Sequence, residues 1–450
     1  MQLYIKVRQG NIRDKIMVNN MVNRLKNIEI NPLKTSSSLG AAVFFLGLKN
    51  AVVLMHGAVG CASFDKVTLT KHFRENIPIV TSALNETGAI LGGKDFLISG
   101  INNVYEKMKP DFIGVTSSGL TETQGEDIAR IIKEFKDFKN EQNIPFSNVI
   151  YASTPDYKDG FEEGYLSAML SLLTEARDKN KEYGSYKKSK SVNVFCPPSF
   201  TPQDFLELRE TLEDFNLKPI MIPDLGMSLD GHLDERGYLQ TTTGGLDAKD
   251  LTNIFNGEFN LIIGLSLKDA VKNIEDLTGL KTYYFSNLCG LKNSDNFFKF
   301  ISKASGKEIP EKYKRQRRRI MDAYLDAHFY FSGKEIALAL GIDLLDSFSA
   351  IYSEIGANLK LGITTKAVND IKYRFLDLLE GDLDLLDNCG NLDMIISNSN
   401  AKFYAENLGI PLLKAGFPII DEIGHNYKHY ILYDGAINLV IESANLLFTE

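Results

Sequence analysis

The 450-residue chain is 44% hydrophobic and 24% charged, the composition of a soluble globular protein, and at the usual ~100–200 residues per domain it is long enough for about two to four domains. Its 50 basic and 58 acidic side chains leave a net charge of -8, which argues against a nucleic-acid binder, and no segment approaches the ~18 uninterrupted apolar residues that a membrane span needs. Four cysteines, at 61, 196, 289 and 389, lack any paired spacing such as C-x-x-C, so a disulfide framework is not expected and a reducing compartment, the cytoplasm, is.

Residues 1–30 form a basic arm, with Lys6, Arg8, Arg13, Lys15, Arg24 and Lys26 set against Asp14 and Glu29. There is no apolar h-region, so a secretory signal is excluded; the arm reads as solvated chain or a short helix, with a transit peptide as the alternative. From Asn31 the pattern is that of a repeating α/β chain. An apolar helical stretch, Leu39 to Leu48, leads into the five-residue apolar run Ala51 to Met55, which is too short for a helix and reads as a buried strand ending at His56-Gly57. After Cys61, apolar Phe64, Val67, Leu69 and Phe73 recur at helical spacing between polar Asp65, Lys66, Lys71 and Arg74. Cys61 is therefore expected in the last loop position before a helix. Unpaired N–H groups and the positive end of the helix dipole there favour a thiolate and suit metal ligation. Gly57 and Gly60 would let backbone approach a bulky inorganic group. A buried structural cysteine fits the same spacing, and spacing alone leaves both readings open.

Further strands are expected at Asp111–Thr116 and Val149–Ser153. The first is followed by an amphipathic helix carrying Ile128, Ile131, Ile132 and Phe135 on one face, with Glu126 and Asp127 in its first turn. Polar, aperiodic Gly184–Lys190 reads as a linker, after which the rhythm restarts with strands at Val192–Phe195, Pro219–Ile222, Leu261–Leu265 and Thr282–Phe285. A second boundary near Ser305-Gly306-Lys307 precedes a long helix from about Pro310 to Tyr330, strands at Glu335–Leu340, Lys360–Ile363, Met394–Ser397 and Pro411–Leu413, and a final helix over Tyr433–Phe448. The expected architecture is α/β: three successive Rossmann-like doubly wound domains with parallel sheets, spanning 31–187, 188–306 and 307–450 after the arm, with ligands at the carboxyl ends of the strands.

Several stretches resemble sites without completing them. Gly88–Lys94 has the first part of a phosphate loop, but Asp95 stands where a magnesium-binding Ser or Thr belongs. His425 and His429 have the spacing of a zinc helix without its glutamate, so a solvent-facing loop is expected. Six of the eight residues Lys312–Arg319 are basic, a solvated helix face by default and a docking surface for an acidic partner otherwise. Cys196, Cys289 and Cys389, beside prolines or in glycine turns, read as structural.

The segments Asn31-Pro32-Leu33-Lys34, His56-Gly57-x-x-Gly60-Cys61, Lys71-His72-Phe73-Arg74-Glu75-x-Ile77-Pro78 and Gly119-Leu-Thr-Glu-Thr-Gln-Gly-Glu-Asp127 resemble the nitrogenase component 1 family. Pro223-Asp224-Leu225-x-x-Ser228-Leu229-Asp230-Gly231-His232-Leu233, Asp322-Ala323-x-Leu325-Asp326-Ala327-His328-Phe329 and Ala415-Gly416-Phe417-Pro418-Ile419 are similar to the branch that assembles the iron–molybdenum cofactor. The resemblance runs in order from about Asn31 to the C-terminus.

It implies a β-like scaffold subunit in a heterotetramer with an α-like partner of the NifE type. Such an assembly takes an iron–sulfur precursor from a donor, matures it with molybdenum and homocitrate in partnership with the iron protein of nitrogenase, and passes it to the nitrogenase apoprotein. It further implies that Cys61 is a metal ligand, this chain's share of a 4Fe-4S cluster at the subunit interface. A 4Fe-4S cluster takes about four thiolates, so the others belong to the partner. In the catalytic β subunit of the family, cysteines also occupy the positions of Ser36 and Gly119, and their absence here excludes half of the larger P-cluster. The alternatives are a subunit of a nitrogenase-like reductase, of the nitrogenase β or dark protochlorophyllide reductase type, and a metal-free binding protein with Cys61 buried.

Overall fold

A computed structural model describes residues 32–183, 189–235, 237–366 and 369–448. The basic arm, Asn31 and the Gly184–Lys188 part of the expected linker, with the expected division at 187/188, lie outside the described residues.

The first unit comprises α1 (Ser37–Leu46), β1 (Ala51–His56), α2 (Val59–Phe73), β2 (Ile79–Thr81), α3 (Glu86–Leu91), α4 (Lys94–Met108), β3 (Phe112–Ser117), α5 (Gly119–Gln124), α6 (Ile128–Glu141), β4 (Asn148–Ala152) and α7 (Phe161–Tyr183). Its strands lie in the order β2-β1-β3-β4, all parallel, with β1 registered residue for residue on β3 from Ala51–Phe112 to His56–Ser117. Every residue of β1 and β3 is buried, as expected of central parallel strands covered by helices on both faces. Ile128, Ile131, Ile132 and Phe135 of α6 pack under one face of this sheet, as their spacing predicts. Glu126 is not in the first turn: Asp127 caps the helix by accepting from Arg130 N, and Glu126 precedes it.

On the other face lies α1, buried along its whole length. It crosses α7 backbone to backbone: a Cβ on Gly40 would sit 1.8 Å from Phe161 O, and one on Gly164 1.8 Å from Ser37 O. Only glycine fits at either point.

A second unit holds β5 (Ser191–Phe195), α8 (Pro202–Asp214), β6 (Lys218–Ile222), β7 (Phe259–Ile263), α9 (Val271–Thr278), β8 (Thr282–Phe285) and α10 (Gly290–Ser305), with parallel order β6-β5-β7-β8. Thr201 caps α8 in a reciprocal box with Asp204, and Pro202 opens the helix, where its missing N–H costs nothing. The third holds α11 (Glu311–Phe331), β9 (Glu335–Ala339), α12 (Ile342–Ile355), β10 (Asn358–Thr364), β11 (Asp377–Glu380), β12 (Met394–Ser397), α13 (Lys402–Leu408), β13 (Leu412–Lys414) and α14 (Leu432–Phe448), with parallel order β11-β10-β9-β12-β13. The fold is thus α/β with three parallel, doubly wound sheets.

Two strands escape sequence reading, both at sheet edges. β2, Ile79-Val80-Thr81, is only three residues long, and β11 begins and ends on exposed carboxylates, so neither gives an apolar run long enough to read as a strand. One continuous apolar core joins the three sheets, and α14 packs on α10 and α11. The basic run of α11 helps to fix that packing: Arg317 makes a two-pronged bond to Asp295 of α10 at 2.8 and 2.9 Å, and Arg319 reaches Asp434 of α14 at 3.2 Å. Among the described residues no helix is long and apolar enough to cross a membrane.

Candidate metal site

β1 delivers the chain into Gly57, where a Cβ would lie 2.7 Å from Ser118 Oγ, so the turn after β1 packs directly on the loop after β3. Helix α2 starts at Val59, with Ala58 as an extended cap that offers no side-chain acceptor. Cys61 is therefore the third residue of the helix and not the last of the loop, because the cap is an alanine that carries no N-terminal signal. The thiol is exposed, which overturns the buried-cysteine reading. First-turn N–H groups have no intrahelical partner, and α2 has no carboxylate in that turn, so the end of the helix retains its preference for a negative ligand. At Gly60 a Cβ would meet nothing within 4 Å, leaving open space beside the cysteine.

The face of α2 that turns inward differs from the one its apolar pattern predicts. Ala62, Asp65, Leu69, His72 and Phe73 are buried, while Phe64 is 75% and Val67 53% exposed. Asp65 tolerates burial because Ser38 Oγ lies 3.3 Å from its Oδ2, and desolvation pushes its carboxyl up to about 7. Ser38 also meets Ser36 Oγ at 3.2 Å, and Ser36 caps α1 by accepting from Leu39 N. Asp156, after β4, accepts from Ser37 N at 2.9 Å and Ser37 Oγ at 3.0 Å. The residues at positions 36 and 119 thus lie in the loop-to-helix turns beside Cys61's own, one as a capping hydroxyl and the other as a glycine with nothing within 4 Å of its missing Cβ. Neither supplies a thiolate. Among the described residues no three His, Cys, Asp or Glu side chains come together to hold a metal. The donor set fits one ligand to a cluster completed by another chain.

The sequence reading missed His56 and Glu126. His56 is fully buried at the end of β1, with Nδ1 2.9 Å from Ser82 Oγ and Nε2 3.1 Å from Glu126 Oε2; Glu126 Oε1 accepts from Gly93 N at 2.8 Å. Burial pushes the imidazole below its ordinary value, against the raising pull of Glu126. Both lie in segments that resemble the family, His56 at the end of an apolar strand and Glu126 before a helix, but neither position says anything of a partner seventy residues away.

The other stretches resolve as structure. Gly93 covers His56 and Gly88 packs on Leu84 and Phe96, so Gly88–Lys94 forms no phosphate cradle. His425 is not in a solvent-facing loop: it is buried 5.0 Å, ring to ring, from His72, and burial pulls its imidazole down to about 4. Cys196 and Cys289 are buried and their thiols pushed well up by desolvation, and half-buried Cys389 donates to Leu386 O at 2.8 Å.

A family model for nitrogenase component 1 type oxidoreductases matches residues 36–448. The chain belongs to the nitrogenase component 1 family. Within this family it is 37% identical, over 94% of each chain, to the nitrogenase iron-molybdenum cofactor biosynthesis protein NifN of Nostoc sp.. It is 36% identical to the protein of the same name from Bradyrhizobium diazoefficiens, over 94% of this chain and 90% of that one. A solved structure described as "Nitrogenase Cp1 at pH 6.5" superposes with a TM-score of 0.85 at 28% identity, covering 94% of both chains. The family resemblance and the parallel α/β fold read from the sequence therefore stand.

Proposed function

We infer that this chain is a NifN-like, β-type scaffold subunit that, with an α-like partner of the NifE type, forms the complex on which the nitrogenase iron–molybdenum cofactor is matured. The two relatives above that are named for that biosynthesis align along nearly the whole chain at 37% and 36% identity, against 28% for the solved structure described as nitrogenase Cp1. The observation that carries the reading is the state of the site. An exposed Cys61 stands alone, where serine and glycine fill the positions of its two would-be companions. One thiolate serves a share of a 4Fe-4S cluster and cannot serve half a P-cluster.

The surroundings support a partner lying over the cysteine. Val59, Phe64 and Val67 of α2, Ile90 and Leu91 of α3 and Leu120 of α5 are exposed apolar side chains on helices that follow the adjacent strands β1, β2 and β3. Such a surface is costly to leave in water and marks an interaction face. In this reading Cys61 gives the thiolate, the first-turn N–H groups favour its charge, and the apolar rim excludes water once the partner is seated. A bound 4Fe-4S cluster would supply one-electron chemistry to the complex. Precursor delivery, the visit of the iron protein and transfer to the apoprotein belong to the same cytoplasmic cycle.

The test is co-expression with the α-like partner and anaerobic purification. The parent complex is expected to carry iron, sulfide and a reduced-state EPR signal, and the chain alone little or no stable cluster. Cys61→Ala should make the cluster labile, whereas Cys196→Ala and Cys289→Ala leave its spectrum unchanged. A Cys61→Ala complex with full cluster occupancy, an unaltered spectrum and normal cofactor maturation would refute the assignment.

A further inference from the structure

Five residues before Cys61, the His56 imidazole joins four separate segments. Its Nε2 faces Glu126 Oε2 at 3.1 Å; a carboxylate only accepts, so the ring proton is assigned to Nε2. Nδ1 is then an acceptor for the Ser82 hydroxyl at 2.9 Å, and Ser82 Oγ in turn accepts from Gly57 N at 3.2 Å. Glu126 Oε1 closes the far end by accepting from Gly93 N at 2.8 Å. The result is one directional chain, Gly57 to Ser82 to His56 to Glu126, met from the other side by Gly93. It ties the turn that leads to Cys61 to the loops after β2, before α4 and before α6. Thr81 Oγ1 donating to Gly57 O at 2.9 Å and Thr121 Oγ1 donating to His56 O at 3.2 Å hold the same two residues from either side. Gly93 fits against the ring with no room to spare, since a Cβ there would lie 2.8 Å from both Cε1 and Nε2.

A buried imidazole–carboxylate pair adds little stability over well-packed apolar side chains, so packing alone does not account for it. We propose that His56 and Glu126 are positioning residues for the Cys61 thiolate: they lock the Gly57-Ala58 turn at the start of α2 to three neighbouring loops and present the cysteine in one orientation before the partner arrives. This rests on Cys61 being the cluster ligand. The arrangement is that of an outer-shell support, which acts on a ligand it does not touch.

The experiment uses the full chain in complex with its α-like partner and compares His56→Ala, His56→Gln, Glu126→Gln, Cys61→Ala and Asn193→Ala. Asn193 is a buried polar control in the second sheet, bonded to Ile254 O at 2.7 Å and Asn260 Oδ1 at 2.9 Å. Two readings are taken, the rate of chelator-driven iron loss and the EPR spectrum of the reduced cluster. His56→Ala and Glu126→Gln are expected to lose iron about tenfold faster, with an altered spectrum, in line with the usual effect of disturbing outer-shell support. His56→Gln, whose amide can reach Glu126, should recover most of the loss. Asn193→Ala should lower the melting temperature and leave both readings at the parent's. Parent-like readings in His56→Ala beside a labile Cys61→Ala would overturn the proposal, as would an equal change in Asn193→Ala. If His56→Ala does not accumulate, Glu126→Gln and His56→Gln decide on the same readings. A normal cluster in Cys61→Ala would instead bring down the ligand assignment, and this inference with it.

Discussion

Replacing Gly40 by alanine is the most direct test of the packing that sets the site. A carbon atom settles ~3.5–4.0 Å from its neighbours, so a Cβ placed 1.8 Å from Phe161 O forces α1 and α7 apart by roughly 2 Å. No side of α1 can yield, because every residue of the helix is buried and Phe44 packs edge-on to Tyr165 of α7 at 5.4 Å. Alanine gains ~1 kcal/mol over glycine within a helix, while overpacking a tight core costs ~1–3 kcal/mol and occasionally more. The clash here is backbone against backbone, so the upper part of that range applies, and a net loss of about 2 kcal/mol is expected. Gly60→Ala is the matched control: the same change in a helix, with nothing within 4 Å, should lose nothing. Urea unfolding followed by far-ultraviolet circular dichroism measures both. If Gly40→Ala unfolds at the parent's midpoint, or at that of Gly60→Ala, the close crossing is not what holds α1.

Thiol labelling of the isolated chain should modify Cys61 first and reach Cys196 and Cys289 only on unfolding, and binding of the α-like partner should protect Cys61; mass spectrometry of timed samples reads both, and early modification of Cys196 would contradict the burial. Burial raises the Asp65 carboxyl to about 7 from an ordinary 3.8, so its contribution to stability is complete below about pH 4 and is lost as pH rises towards 7. Asp65→Asn, which keeps an acceptor for Ser38, should flatten that slope and gain up to ~4 kcal/mol near pH 8; an unchanged pH dependence of unfolding would remove Asp65 from the account.

The fold was legible where burial leaves a pattern. β1, β3 and β5 are apolar runs because helices cover both faces, and Ile128, Ile131, Ile132 and Phe135 keep helical spacing because one side of α6 meets a sheet. Helix α2 shows where such reading ends. Its apolar Phe64 and Val67 face outward and its Asp65 inward, held there by Ser38, so the periodicity of its apolar residues picks out the wrong face. The cysteine could be picked out because glycines and a strand end surround it. The His56–Glu126 pair could not, because seventy residues separate the partners and only the parallel register of β1 and β3 brings their loops together. His425 was misplaced for a related reason: its ring packs against His72 of the first unit, which no local spacing reveals.

The division of labour at the site follows from ligand arithmetic and from packing together. A chain that kept three thiols in the turns at 36, 61 and 119 could hold half of a large cluster by itself. In the proposed complex the chain brings one, so every further ligand would come with the partner and cluster binding and subunit association would be the same event. Such a scheme works only if the single thiolate and its apolar rim are already in place, since ordering the loops at the moment of binding would draw on the association energy. The hydrogen-bonded chain through His56, the glycine-tight crossing that fixes Ser36 and Ser38, and the Gly57–Ser118 contact all hold that surface from within. On the proposed function, the polar network lies inside and the apolar side chains outside because this face is the one that meets the α-like partner.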